Sequence, residues 1–146
     1  MAEKTTELQL FSLLTTALEL EHAAYLQYLS HAEIISGPTS PPISAKLRDN
    51  AADEAKHADT LRDLIANYID SYPTTDIAKT HQATEIPDVL KINIKDETTA
   101  IDHYKKTLTF IQDNQGLDNY DTFWESIRQI LIEEEQHIAE LRILQE

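Results

Sequence analysis

Glu54 and His57, within "DEAKHADTL" at residues 53–61, stand three positions apart among alanines and a leucine, and Glu134 and His137 repeat that spacing within "EEEQHIAEL" at residues 133–141. On a helix this spacing puts a carboxylate and an imidazole one turn apart on one face, within reach of a single ion. Two further glutamates, Glu21 and Glu97, fall where an apolar stripe calls for a leucine. Four carboxylates with two imidazoles are too rich in oxygen for a structural zinc site and hold too much nitrogen for a typical calcium site; the set suits two iron or manganese ions. Either Glu-x-x-His pair alone would be ordinary decoration of a solvated helix. Glu133 and Glu135 flank Glu134, and the spacing to His137 together with the apolar face selects Glu134.

The elements that must position these groups follow from the breaks. "SGPTSPP" at residues 36–42 is the clearest, "DNQGLDN" at residues 113–119 is another, and a long one covers about residues 71–89, with Pro73 and Pro87 near its ends. Between them lie four segments with apolar spacing near 3.6, about residues 4–35, 43–70, 90–112 and 119–145. The first stripe is Leu14, Ala17, Leu18, Ala24, Tyr25, Tyr28 and Ile35, interrupted by Glu21. The second is Leu47, Ala51, Ala58, Leu61 and Ile65, interrupted by Glu54 and His57. The third runs through Leu90, Ile94, Ala100, Ile101, Tyr104 and Leu108 around Glu97, and the fourth through Ile127, Ile130, Leu131, Ile138 and Leu141 around Glu134 and His137.

Short first and third connections make two antiparallel hairpins. The middle one is long enough to climb the whole bundle, so the second and third helices run parallel. The expectation is an all-α, single-domain four-helix bundle over residues 1–146, with one long crossover between the second and third helices. Every interruption falls near the middle of its helix, so the acidic groups meet at one height. A buried ionised carboxylate costs several kcal/mol even after relaxation, and four of them repel one another. A domain stable by only about 5–15 kcal/mol needs protons or a cation there.

The absence of cysteine excludes disulfides, thiolate zinc, iron–sulfur ligation and a cysteine nucleophile. With two glycines, Gly37 and Gly116, the chain has no phosphate-cradling loop, and a net charge of −14 with dispersed Lys and Arg argues against nucleic acid. The N-terminus lacks the pattern of a signal peptide and no apolar run spans a bilayer, so the expectation is a soluble, cytoplasmic protein with no membrane partner. Tyr28, two turns beyond Glu21, is the candidate catalytic residue, placed to hydrogen-bond a small ligand or to be oxidised; a core tyrosine meeting any buried acceptor is the other reading. Tyr25 and Tyr104 rank behind it. His22, His31, His81 and His103 read as solvent or interface residues, and Trp124 as packing or a subunit contact.

With these segments in view, "ELEHAAYLQYLSHA", "DEAKHAD", "ETTAIDHY" and "EEEQHIAEL", one from each helix, the sequence resembles the ferritin-like superfamily, and bacterioferritins most closely. The resemblance implies that Glu54 and Glu134 bridge two iron ions, that Glu21 and His57 complete one position, and that Glu97 and His137 complete the other. It implies oxidation of Fe(II) by dioxygen or peroxide, with iron storage or detoxification as the outcome, and a homodimer or larger homo-oligomer.

Ala55 stands where bacterioferritins carry a haem-ligating methionine, so no haem is expected. With nine residues after His137, the expectation is that the short fifth helix lining an axis of large ferritin shells is missing. Rubrerythrins are similar too, but the extra carboxylate they carry one turn away on the third helix has no counterpart in Ile94 or Ala100. The alternative function is a non-caging di-iron or di-manganese oxidoreductase or peroxidase, and an interaction module without metal is a third.

Overall fold

The computed structural model describes residues 2–146, with side-chain surroundings from Lys4 onward; Met1 lies outside the described residues. Among the described residues there are four α-helices and no strand: α1 (Ala2–Ile34), α2 (Ser40–Asp63), α3 (Ile86–Gln112) and α4 (Tyr120–Leu144). A π-helical turn, Leu64–Tyr68, prolongs α2. α2 and α3 begin at Ser40 and Ile86, earlier than the prolines suggest in sequence. Pro41 and Pro87 sit in a first helical turn, where a backbone N–H has no intrahelical partner to lose. Gly37, at φ 103°, adopts the backbone conformation that a side chain resists, and its carbonyl accepts from Ser40 N at 3.1 Å and Ser40 Oγ at 2.8 Å.

Two apolar clusters fill the bundle and fix its topology. One joins Leu10 and Leu14 of α1 to Leu61 near the end of α2, Ile111 at the end of α3 and Phe123 at the start of α4. The other joins Ala32 and the neighbouring Ile35 to Ile43 and Leu47 of early α2, Val89 and Leu90 of early α3 and Leu141 of late α4. α1 therefore runs against α2 and α3, α4 runs against α3, and α2 and α3 are parallel. Each fully buried Leu or Ile contributes roughly 1.5–3 kcal/mol, and the clusters leave a band between them for groups that gain nothing from burial.

The crossover, residues 69–85, climbs along α1. Ala78 N donates to Glu19 O at 3.0 Å, and His22 Nδ1 donates to Asp76 O at 2.8 Å. Higher up, His81 N donates to Gln27 Oε1 at 2.6 Å, and His31 Nε2 to His81 O at 2.9 Å. The crossover and α3 bury the Gln27–His31 side of α1, which corrects two expectations. Tyr25, on the other edge of the stripe, is 37 % exposed. His31 is buried rather than a solvent residue, with Asn93 Nδ2 donating to its Nδ1 at 2.9 Å. His22 and His103 are half-buried and bonded to backbone carbonyls, and only His81 of the four is exposed. Trp124 is half-buried and stacks on Tyr120.

Candidate metal centre

The structure brings together all six of Glu21, Glu54, His57, Glu97, Glu134 and His137, each buried, in the band between the two apolar clusters. They form two overlapping groups: Glu21, Glu54, His57 and Glu134 on one side, and Glu54, Glu97, Glu134 and His137 on the other, with one ligating atom of each member within 4.8 Å of the rest. Glu54 and Glu134 belong to both groups, as the central residues of helices that face each other across the core.

The two imidazoles are set alike. His57 Nδ1 stands 3.2 Å from Glu54 Oε1, 3.3 Å from Glu134 Oε1 and 3.5 Å from Glu21 Oε2. His137 Nδ1 stands 3.1 Å from Glu97 Oε2, 3.3 Å from Glu134 Oε1 and 3.6 Å from Glu54 Oε1. In each ring the other nitrogen points outward to a carboxylate: His137 Nε2 donates to Asp53 Oδ2 at 2.9 Å, and His57 Nε2 to Glu133 Oε1 at 3.4 Å. A proton held on Nε2 leaves Nδ1 free to ligate.

The proton affinities record the strain of this crowd. Burial, then the charge of Glu134, raises Glu21 to about 7 and Glu97 to about 8, and the same causes push Glu54 well above the usual carboxylate range. Burial pushes Glu134 upward as well, but the two imidazoles beside it, His137 and His57, prevail and hold it at about 2. For the imidazoles burial acts downward and is overcome by Glu134 with Glu21 or Glu97, so His57 rises to about 11 and His137 to about 10.

Whether the residues fit a pair of metal ions is decided by their unpaired atoms. Glu21 Oε2, both oxygens of Glu54, both oxygens of Glu134 and His57 Nδ1 are buried and make no hydrogen bond of acceptable geometry. A buried polar atom left unpaired costs about 1–3 kcal/mol, and more when charged, so orphans converging on one spot call for a shared cation. The donor chemistry, hard carboxylate oxygen with imidazole nitrogen, fits iron or manganese.

Of three further neighbours, Asp53 is unread in the sequence, Glu133 is set aside there in favour of Glu134, and Tyr104 ranks behind Tyr28. Tyr104, fully buried, donates to Glu21 Oε1 at 2.6 Å. Asp53 and Glu133 carry the outward imidazole bonds; the signal for them was the acidic residue directly before each central glutamate. Tyr28, the candidate catalytic residue, is buried with its hydroxyl unpaired, near the equally unpaired amide of Asn50. Its ring meets that of His137 edge-on at 6.3 Å.

A cavity of about 270 Å³ between α1, α3 and the crossover leads to the centre. Its lining runs from the surface residues Lys79, Lys95 and Asp96 to the buried Tyr28, Glu54, Glu97 and Glu134.

The chain matches the family profile of the ferritin-like domain over residues 11–146. Among proteins of curated function, none matches it. Solved structures similar to it include the dodecameric thioferritin, a bacterioferritin-related protein, of Bacteroides fragilis. That structure is 25% identical with a TM-score of 0.82, over 93% of this chain and 83% of that one. A ferritin-like diiron-carboxylate protein of Bacillus anthracis is 22% identical with a TM-score of 0.89, over 97% of this chain and 98% of that one. The bacterioferritin BfrA of Mycobacterium tuberculosis is 21% identical with a TM-score of 0.82, over 93% of this chain and 83% of that one. The profile match, spanning all four helices and with them the six converging side chains, shows that the chain belongs to the ferritin-like family.

Proposed function

We propose that the chain is a di-iron ferroxidase-type protein that oxidises Fe(II) with dioxygen or peroxide, in iron storage or detoxification. The observation that carries this reading is the pair of four-donor groups sharing Glu54 and Glu134. Glu54 and Glu134 would bridge two iron or manganese ions, Glu21 and His57 would complete one position, and Glu97 and His137 the other. Two ferrous ions side by side supply two electrons to one oxidant molecule, so that with two protons a peroxide becomes two waters and both irons become ferric.

The chain's own residues do the rest. The carboxylates bind and favour the more highly charged product, since negative charge around an ion favours its higher oxidation state. Asp53 and Glu133 hold the imidazoles with Nδ1 turned inward. The apolar clusters keep bulk water from either end. Tyr28 Oη, unpaired on the lining of the cavity, would donate a hydrogen bond to a small oxidant there and pass its proton on as the oxidant is reduced.

Assembly into a homo-oligomer is part of the same reading. It is supported by the dodecamer of the B. fragilis relative and by Tyr25, Leu26, Ile34, Tyr72 and Ile77, apolar side chains left exposed along α1 and the crossover. A cytoplasmic location rests on the cysteine-free composition. Among the described residues, no helix is long and apolar enough to cross a membrane.

The test is Fe(II) oxidation by protein loaded without oxygen and then given peroxide or dioxygen. The reading expects one peroxide consumed for every two Fe(II), and loss of turnover in Glu54→Ala combined with Glu134→Ala. Turnover unaffected by that pair of substitutions would contradict it.

A further inference from the structure

We propose that the cavity between α1, α3 and the crossover is a binding site for a small oxo acid, its carboxylate held by Lys79 and Lys95 and its neutral carbonyl oxygen by Tyr28. This goes beyond the dimetal reading: the site lies beside the centre, and binding to it needs no ion.

Size is the first observation. At about 270 Å³ the cavity has room for about nine water-sized groups, whereas an oxidant such as peroxide fills about two. Its walls carry the apolar Leu20, Ala23, Ala24, Ala78 and Ala100. A hydrated divalent cation gains nothing from such walls and would have to pass the two ammonium groups, so the cavity is ill suited to deliver Fe(II).

The second observation is which polar groups of the lining lack partners. Gln27 Nε2 donates to Asn93 Oδ1 at 3.0 Å and to Asp96 Oδ2 at 2.7 Å, and Gln27 Oε1 accepts from His81 N at 2.6 Å. His81 Nδ1 donates to the same Asp96 oxygen at 3.1 Å, so this rim carboxylate is engaged within the wall. Asn93 Nδ2 is taken by His31 and by the carbonyl of Val89. Apart from the carboxylates of the centre, the lining leaves over Lys79 and Lys95 at the surface and Tyr28 at depth. Among the described residues the two lysines have no ion-pair partner, in a chain with 26 acidic residues. Tyr28 is 1 % exposed, with its hydroxyl unpaired.

These leftovers define the ligand. Two ammonium groups call for an anion, and Glu54, Glu97 and Glu134 at the buried end exclude one there, so the charged group faces outward. The alanines call for a short apolar run, and the Tyr28 hydroxyl, with a proton to give, calls for a neutral acceptor oxygen. A short oxo acid carries these parts in that order. Once bound, it stands between solvent and the centre and takes the hydroxyl that an oxidant would otherwise meet.

The experiment uses the full chain stripped of metal and titrated with levulinate, a short oxo acid, followed by calorimetry and by the NMR signals of the alanine methyl groups. A Kd on the order of 1 mM or below is expected for a ligand of this size, with shifts at Ala23, Ala24 and Ala100. Pentanoate, of the same chain length without the inner oxygen, should bind about threefold to tenfold more weakly. Tyr28→Phe should bring levulinate down to the level of pentanoate and leave pentanoate unchanged. Lys79→Glu combined with Lys95→Glu, both on the surface, should weaken either acid by about tenfold and leave methyl propyl ketone, which has no charge, unaffected.

The comparison of the three ligands in the wild type does not depend on how any variant folds. Absence of levulinate binding, shifts confined to methyl groups away from the cavity, equal affinities for the three ligands, or affinities indifferent to the lysine and tyrosine substitutions overturn the proposal. A chain that binds metal and no oxo acid leaves the dimetal reading standing, and one that binds the oxo acid and no metal leaves only the site proposed here.

Discussion

Asp53 on α2 and His137 on α4 are joined across the bundle by a 2.9 Å hydrogen bond from Nε2 to Oδ2. The relationship is reciprocal, since Glu133, directly before Glu134, meets His57 Nε2 at 3.4 Å. Each central helix thus supplies a glutamate to the middle of the site and, one residue earlier, a carboxylate that orients the imidazole of the other helix. Because Asp53 and Glu133 are part-exposed and bond an imidazole rather than fill the core, losing one carboxylate should be felt in metal binding rather than in the fold.

Asp53→Ala is therefore expected to lower the affinity for Mn(II) by about 10–100-fold, with the melting temperature of the metal-free chain little changed. Glu133→Ala should have the smaller effect, because its bond is longer. Competition of each variant with a metallochromic chelator measures both; equal affinities in the variants and the wild type would remove any role for the outward bonds.

Glu54→Gln should separate stability from binding. In the metal-free protein Glu54 is buried and unpaired, and burial with the charges of Glu134 and Glu21 pushes it well above the usual carboxylate range, so folding near neutral pH must place a proton on it; the amide needs none and should raise the melting temperature by about 2–4 °C. The same change removes a donor shared by both ion groups and should weaken both positions. Thermal melts with and without Mn(II) test this, and a variant less stable than the wild type without metal contradicts it.

The stability of the metal-free chain should fall as pH rises. Glu21 and Glu97, raised to about 7 and about 8, hold protons in the folded state that the unfolded chain releases near 4.5, so their contribution is complete below 4.5 and lost through 7 to 8. His57 and His137, raised to about 11 and about 10, add a contribution that is complete below 6.5 and lost as pH climbs to those values. Glu134, held at about 2, acts oppositely: its contribution is present above 4.5 and lost as pH falls towards 2. Melting temperatures between pH 5 and pH 9 should decline without metal, whereas the gain on adding Mn(II) should grow, since ions displace these protons. A metal gain that shrinks with pH would contradict the assignment.

Tyr28→Phe should leave Mn(II) affinity unchanged and alter stability little, because the hydroxyl it removes is buried without a partner. If the hydroxyl supplies a proton to the oxidant, the rate of peroxide consumption falls. Stopped-flow mixing of Fe(II)-loaded protein with peroxide reads this directly, and an unchanged rate assigns Tyr28 to packing alone.

The helices and the six converging side chains were legible because their signals are periodic: a glutamate in place of a leucine stands out against a stripe, and Glu-x-x-His repeats on two helices. Tyr104 was not legible in the same way. A tyrosine on an apolar stripe reads as core, and nothing local says that its hydroxyl will meet Glu21 on another helix. His31 was missed for a related reason, since its burial depends on the path of the crossover, and an irregular segment carries no period from which that path can be read. The early starts of α2 and α3 were masked by prolines, which mark a break in sequence but are tolerated within a first turn.

The most direct measurement is the metal content of the full chain, loaded with Fe(II) without oxygen, freed of unbound metal, and compared with Glu54→Ala combined with Glu134→Ala. Two carboxylates shared between two four-donor groups lead us to expect about two ions per chain in the wild type, as in dimetal carboxylate bundles, and none in the double variant. A wild-type chain that retains no metal, or a double variant that retains as much, would show that these buried acids converge for some reason other than a pair of cations.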